Sequence, residues 1–201
     1  MKKLLMISFE PFGGELRNPA WDILSTFKYS DNVEMTKIVL PCTYSESWTL
    51  LRKKIDQYIY DVALIFAQAG GRWDINIERI AINVNDAPIP DNCGVQPIDE
   101  PIEVEGKSAY FSTLPVKSII KNLRDSNIPA SVSNSSGTFL CNNIFYKLLQ
   151  YIESNGAMTI AGVVHIPYTP DQVIYRPGVP YMSEEVITRA LTNIISTCTS
   201  K

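Results

Sequence analysis

The sequence predicts an α/β fold, a three-layer α/β/α sandwich around a mixed or largely parallel central sheet, and three observations predict it. Short apolar runs alternate with amphipathic helical segments along the chain. The run Val62–Ala67 is apolar at every position, the pattern of a strand covered on both faces. Helix-start signals fall between the runs, as in Asn18-Pro19 and in Ser183-Glu184-Glu185. A length of 201 residues suffices for one substantial core, so a single domain over 1–201 is expected.

In chain order, Lys3–Ser8 reads as a first strand. Asn18 caps a helix with Pro19 at its first position, running to about Phe27. Val33–Leu40 alternates as a second strand. Ser45 is the expected cap of the next helix, on which Trp48, Leu51, Ile55 and Ile59 recur at helical spacing, with Arg52-Lys53-Lys54 on its solvated face. The buried strand Val62–Ala67 follows, then a short strand over Arg79–Asn83. Ala87–Pro115 is rich in proline, glycine and acids, and reads as an ordered excursion anchored by Tyr110 and Phe111. Val116, Ile119, Ile120 and Leu123 share a helical face. Ala130–Ser133 is a short strand, and a helix from about Leu140 carries Ile144, Phe145, Leu148, Leu149 and Ile152. Thr159–His165 is the last strand. The final helix opens at Ser183, where Glu184 and Glu185 suit the positive helix terminus.

Composition excludes several classes. Hydrophobic residues make up 45% and charged residues 19%, ordinary for a globular protein, and a net charge of -3 gives no footprint for a nucleic acid. The apolar stretch after Lys2-Lys3 is too short for a signal peptide or a membrane span, so a cytoplasmic protein without membrane or nucleic-acid partners is expected. Four cysteines stand far apart with no C-x-x-C pair, and there is one histidine, which argues against a mixed zinc site; a four-thiol site is not excluded by counting. Cys42 and Cys198 read as packing residues.

Cys141 and His165 are the chemical candidates. Cys141 follows the turn Ser135–Leu140 at the start of a helix, where the dipole favours a thiolate and free N–H groups can hold an oxyanion. His165 ends a strand, at the sheet edge where α/β active sites gather. Taken singly, a cysteine is most often a small buried hydrophobe and a lone histidine a structural residue. Their joint placement at a helix start and a strand end favours a Cys–His nucleophile. Glu78 is the best third member to orient the imidazole, with Asp86 and Asp91 as weaker alternatives on spacing. Gly13-Gly14 and Gly70-Gly71 match neither phosphate-binding pattern. Phe9 and Phe12 are core residues by default, but their place at the end of the first strand makes them candidate pocket walls.

An ordered series of motifs spans nearly the whole chain. It runs Phe9-Glu10-Pro11-Phe12-Gly13-Gly14, Asn18-Pro19, Gln68-Ala69-Gly70-Gly71-Arg72, Glu78-Arg79-Ile80-Ala81-Ile82-Asn83 and Ile89-Pro90-Asp91-Asn92. Ala109–Pro115, Ser133–Asn142 and His165-Ile166-Pro167-Tyr168 complete it. The series resembles pyroglutamyl-peptidase I (pyrrolidone-carboxylate peptidase), a family of cytosolic cysteine peptidases. The resemblance implies Cys141, His165 and Glu78 as the catalytic residues and Phe9, Phe12, Asn18, Gln68, Ile89 and Phe139 as substrate-binding positions. It also implies a phosphorylase/hydrolase-like fold, peptides with N-terminal pyroglutamate as substrates, no cofactor or metal, and a homotetramer. The chain departs from the family pattern at Ser8 and Ala67, where glycine is usual, and at Asn76, where serine or threonine is. It also has Pro88 where an arginine is expected. Proline removes both the guanidinium and a backbone N–H. A weakened or non-catalytic family member is therefore one alternative reading, and a nucleoside phosphorylase-like enzyme using the diglycine loops is another.

Overall fold

A computed structural model of the chain describes residues 1–29 and 32–200. Its six-stranded sheet has the order β2-β1-β3-β8-β4-β7, formed by β1 (Lys2–Phe9), β2 (Val33–Leu40), β3 (Val62–Gln68), β4 (Ile75–Glu78), β7 (Ala130–Ser133) and β8 (Ile160–Ile166). Pairing is parallel throughout except between β4 and β8, which makes the sheet mixed as expected. A separate ribbon pairs β5 (Ile80–Ile82) with β6 (Ala109–Phe111).

Alternation along the strands sorts the side chains into two cores, one per face. Leu4, Met6, Val62, Leu64, Phe66, Ile75, Ile77, Val164 and Ile166 pack under α1 (Pro19–Thr26), α3 (Val116–Asp125) and α6 (Glu184–Thr199). Leu5, Ile7, Phe9, Ala63, Ile65, Ala67, Ala161 and Val163 pack on the other face under α2 (Ser47–Gln57) and α4 (Leu140–Ser154). The continuous apolar run of β3 supplies both. No helix among the described residues is long and apolar enough to cross a membrane.

Local chemistry explains where the expected elements hold and where they shift. Asn18 accepts from Ala20 N–H at the start of α1, and Ser183 accepts from Val186 N–H at the start of α6. The N-cap of α2 is Glu46, not Ser45, and α2 ends at Gln57, leaving Ile59 83% exposed beyond it. The segment Arg79–Asn83 is not one strand: Glu78 closes β4, Arg79 N–H donates to Ser133 O, and the chain leaves the main sheet to form β5. Within the proline-rich excursion, Tyr110 turns inward and meets Tyr146 edge-on at 4.9 Å. Phe111 points the other way and is 68% exposed, so only Tyr110 anchors the segment, as the period-2 geometry of a strand requires. A short helix, α5 (Pro170–Val173), was not expected; Thr169 and Gln172 close a capping box at its start.

Gly162 shows how closely β8 is covered. A Cβ there would lie 2.4 Å from Leu114 Cδ1 and 2.5 Å from Ser112 Oγ. Leu114 is buried in the core and has little room to retreat. Gly162→Ala is expected to cost about 1–3 kcal/mol by overpacking, read as a lower urea midpoint at an unchanged m-value.

Candidate active site

β1, β3 and β8 run parallel and end side by side, with Phe9, Gln68 and His165 at their carboxyl ends. β4 runs the other way against β8 and places Asn76 opposite His165. Because Ile75 and Ile77 enter one core, Asn76 and Glu78 face the opposite side of the sheet, the side covered by α4. Glu78 thus arrives beside His165 on an antiparallel strand.

His165 is 3% exposed, and its Nδ1 lies 2.7 Å from Glu78 Oε1. A carboxylate can only accept, so Nδ1 carries the proton and Nε2 is left as the basic nitrogen. Glu78 is fully buried, which by itself raises its pKa. The hydrogen bond and charge of His165 and the charge of Arg72 oppose that burial and hold the carboxyl below its ordinary value. The alternatives Asp86 and Asp91 are committed elsewhere. Asp86 accepts from Asp99 N–H, and Asp91 accepts from the N–H groups of Tyr44, Cys93 and Val95.

Cys141 is the second residue of α4, after a turn in which Gly137 takes φ +78°. The helix has no side-chain cap, so the first-turn N–H groups are available to an anion. Asn142 locks this start in place: its side chain bonds Ile82 N–H, the carbonyls of Ile82 and Val84, and the Ser136 hydroxyl. Burial pushes the Cys141 thiol above its ordinary value, and the negative charge of Glu78 adds to that, with Arg72 opposing. A neighbouring base would assist attack by this thiol. Cys42 is buried, and its thiol is pushed up to about 12, first by burial and then by Asp91 and Glu10; burial raises Cys198 to about 12 as well.

Cys141 and His165 line one cleft of about 390 Å³ together with Phe9, Phe12, Phe139, Gln68, Asn18 and Pro88. Phe12 and Phe139 lie 6.0 Å apart, and Tyr44, which the sequence reading did not single out, meets Phe139 edge-on at 6.0 Å. Asn18 is 3% exposed, with its amide nitrogen on the carbonyls of Phe9 and Glu10, so it shapes the wall rather than offering a free donor. Gln68 exchanges hydrogen bonds with Gln172 of α5, another residue not expected here. Ile89 lies outside the lining, set behind Gly13. Pro88 is in the lining, and its loop is held without a proline N–H: Asp86 N–H donates to Thr138 O, Ala87 N–H to Pro97 O, and Gln96 Nε2 to Ala87 O. Among the described residues no three His, Cys, Asp or Glu side chains gather as a metal site.

The family described as Pyroglutamyl peptidase matches residues 2–201. Pyrrolidone-carboxylate peptidase 1 of Caldanaerobacter subterraneus subsp. tengcongensis is 45% identical over 196 residues, covering 96% of each chain. The pyrrolidone-carboxylate peptidase of Erwinia tasmaniensis is 45% identical over 98% of this chain and 92% of its own. Among solved structures, a mutant pyrrolidone carboxyl peptidase from the hyperthermophile Pyrococcus furiosus superposes with a TM-score of 0.94 at 38% identity, over 98% of both chains. Pyroglutamyl peptidase I from Bacillus amyloliquefaciens superposes with a TM-score of 0.92 at 37% identity, over 98% of this chain and 95% of that one.

Proposed function

The chain belongs to the pyroglutamyl peptidase family, and from that premise we propose how its cleft performs the family's reaction. It is a cysteine hydrolase that removes the N-terminal pyroglutamyl residue from peptides. The observation that supports the residue assignment is the placement of Cys141, on the first turn of α4, in one apolar-walled cleft with the His165–Glu78 pair.

The pyroglutamyl ring is an uncharged lactam, so it needs flat apolar walls and a few directed polar groups. Phe9, Phe12 and Phe139 flank it, and Gln68 offers its amide to the lactam edge. Asn18 holds the end of β1 in place, and Ile89 supports the turn at Gly13. His165 Nε2 takes the thiol proton as Cys141 Sγ attacks the scissile carbonyl, and first-turn N–H groups of α4 hold the oxyanion. His165 then gives that proton to the leaving amine, which departs and leaves a thioester on Cys141. Water, deprotonated by His165, hydrolyses the thioester. Glu78 keeps the imidazole in the productive tautomer throughout. No step uses a cofactor. A cytoplasmic location and assembly as a homotetramer complete the reading, supported by the resemblance to the family.

Hydrolysis of pyroglutamyl-aminomethylcoumarin, with and without prior iodoacetamide, tests it. The reduced protein should release the fluorophore, and alkylation should stop it unless 2-pyrrolidone occupies the cleft. Turnover that survives alkylation would sink the thiol mechanism. A folded, reduced protein with no turnover would favour a non-catalytic role linked to Pro88.

A further inference from the structure

The buried carboxylate of Glu78 carries both its short hydrogen bonds on one oxygen. Oε1 lies 2.7 Å from His165 Nδ1 and 2.6 Å from Arg72 Nη1, while Oε2 is buried without a partner among the described residues. Arg72 does more than touch that oxygen. Its Nη1 also donates to Asn76 Oδ1 at 2.6 Å, and its Nη2 donates to Ser135 O at 3.0 Å. One planar group thus joins β4, through Asn76 and Glu78, to the turn that leads into α4 and Cys141. Asn76 is itself oriented from behind, since its Nδ2 donates to Asp74 Oδ1 at 2.8 Å and to Ser131 Oγ at 2.9 Å. With both amide protons so placed, Oδ1 faces Arg72. Asp74 and Asn76 are both buried, so this backing is an interior network rather than a surface ion pair.

We propose that Arg72 is a positioning residue for the reaction: its guanidinium fixes the shared oxygen of Glu78 and ties the strand bearing that carboxylate to the turn bearing the nucleophile. The inference rests on the assignment of Cys141, His165 and Glu78 given above. A guanidinium suits the task because its rigid fork serves acceptors in fixed directions, whereas a lysine ammonium is a single point charge on a flexible stem. The titratable groups that face Glu78 are His165 from β8, Arg72 from the β3–β4 loop and the Cys141 thiol from α4. Burial works against the charged carboxylate, and Arg72 is one of the groups that oppose burial. Without Arg72, Glu78 should take up a proton at a higher pH than in the wild type, and its hold on Nδ1–H should fail there.

The test uses the full chain as Arg72→Met, Arg72→Lys and Arg72→Ala. For Arg72→Met, kcat on pyroglutamyl-aminomethylcoumarin should fall about 10²-fold with little change in KM, the scale of a small misplacement of catalytic groups. The acid limb of its kcat/KM profile should move to higher pH. Arg72→Lys keeps the charge and should restore the position of that limb, but not the full rate, because it cannot also hold Asn76 and Ser135. Millimolar guanidinium, far below denaturing concentrations, should recover part of the rate of Arg72→Ala. The chain has a single histidine, so the hydrogen-bonded Nδ1 proton of His165 can be followed by NMR without activity. Its signal should disappear on acidification at a higher pH in Arg72→Met than in the wild type. Should the Arg72 variants fail to fold, Asn76→Ala, which leaves the guanidinium in place, should show a smaller fall in kcat. An unchanged kcat and unchanged NMR midpoint, or a loss confined to KM, would overturn the proposal. A wild type that lacks turnover but shows the NMR shift would instead count against the triad reading and leave the clamp standing.

Discussion

Cys141→Ala is expected to lower release of a pyroglutamyl chromophore by about 10⁴-fold or more while the protein stays folded, the scale of losing a nucleophile that acts as one unit with its base. The fold should survive because Cys141 is only partly buried, packs at the edge of the second core, and loses a single sulfur atom. Circular dichroism and the urea midpoint check that half of the statement, and a burst-free progress curve checks the other. The raised thiol pKa adds a pH signature. Because burial and Glu78 disfavour the thiolate, alkylation of Cys141 by iodoacetamide should quicken as pH rises. Cys93 is exposed and will also react, so labelling is to be scored by peptide mass at Cys141. Activity retained in Cys141→Ala would end the assignment outright.

His165→Ala should cost a comparable factor, about 10⁴-fold, because it removes the only imidazole in the chain and with it the proton carrier of both half-reactions. Unlike the cysteine change, it should also weaken the fold. Glu78 is fully buried, and without Nδ1 its Oε1 keeps only Arg72 as a short partner. Leaving a buried charged acceptor underpaired costs about 1–3 kcal/mol or more. The sign with pH follows from the lowered pKa of Glu78. A depressed carboxyl stabilises the fold above its unfolded value, and that contribution fades as pH falls through the folded one. The stability difference between wild type and His165→Ala should therefore be largest near neutrality and shrink in acid. Glu78→Gln should retain more activity than His165→Ala, since an orienting group contributes less than the base it orients. A His165→Ala protein with near-normal turnover would move the base elsewhere.

Much of this molecule is legible along the chain, for reasons that differ from part to part. The strand Val62–Ala67 and the helix from Leu140 stand out because a continuous apolar run and a repeated apolar face each have one stable environment. The N-caps Asn18 and Ser183 are legible because the capping bond lies within a few residues. β4 is not legible. Its alternation of Ile75 and Ile77 with Asn76 and Glu78 is the pattern of a strand with one face in water. All four residues are nonetheless buried. The polar face meets His165 from β8 and Arg72 from a loop, partners that no local window contains. Arg72 is legible only as part of a motif for the same reason. An arginine beside two glycines looks like a surface residue until the sheet brings Glu78 and Ser135 around it.

The sequence by itself determined the α/β alternation and singled out Cys141, His165 and Glu78 as candidates. These rest on short-range pattern, on residue chemistry and on an ordered set of motifs. Tertiary structure alone decided how those residues can act. β4 runs against β8, and Glu78 reaches His165 from a direction that strand order along the chain does not reveal. The same fold sets the partly buried thiol near that carboxylate. A helix start favours a thiolate, whereas desolvation and a nearby negative charge oppose it. Both effects depend on neighbours far apart in the chain, so they exist only once the sheet and α4 have come together.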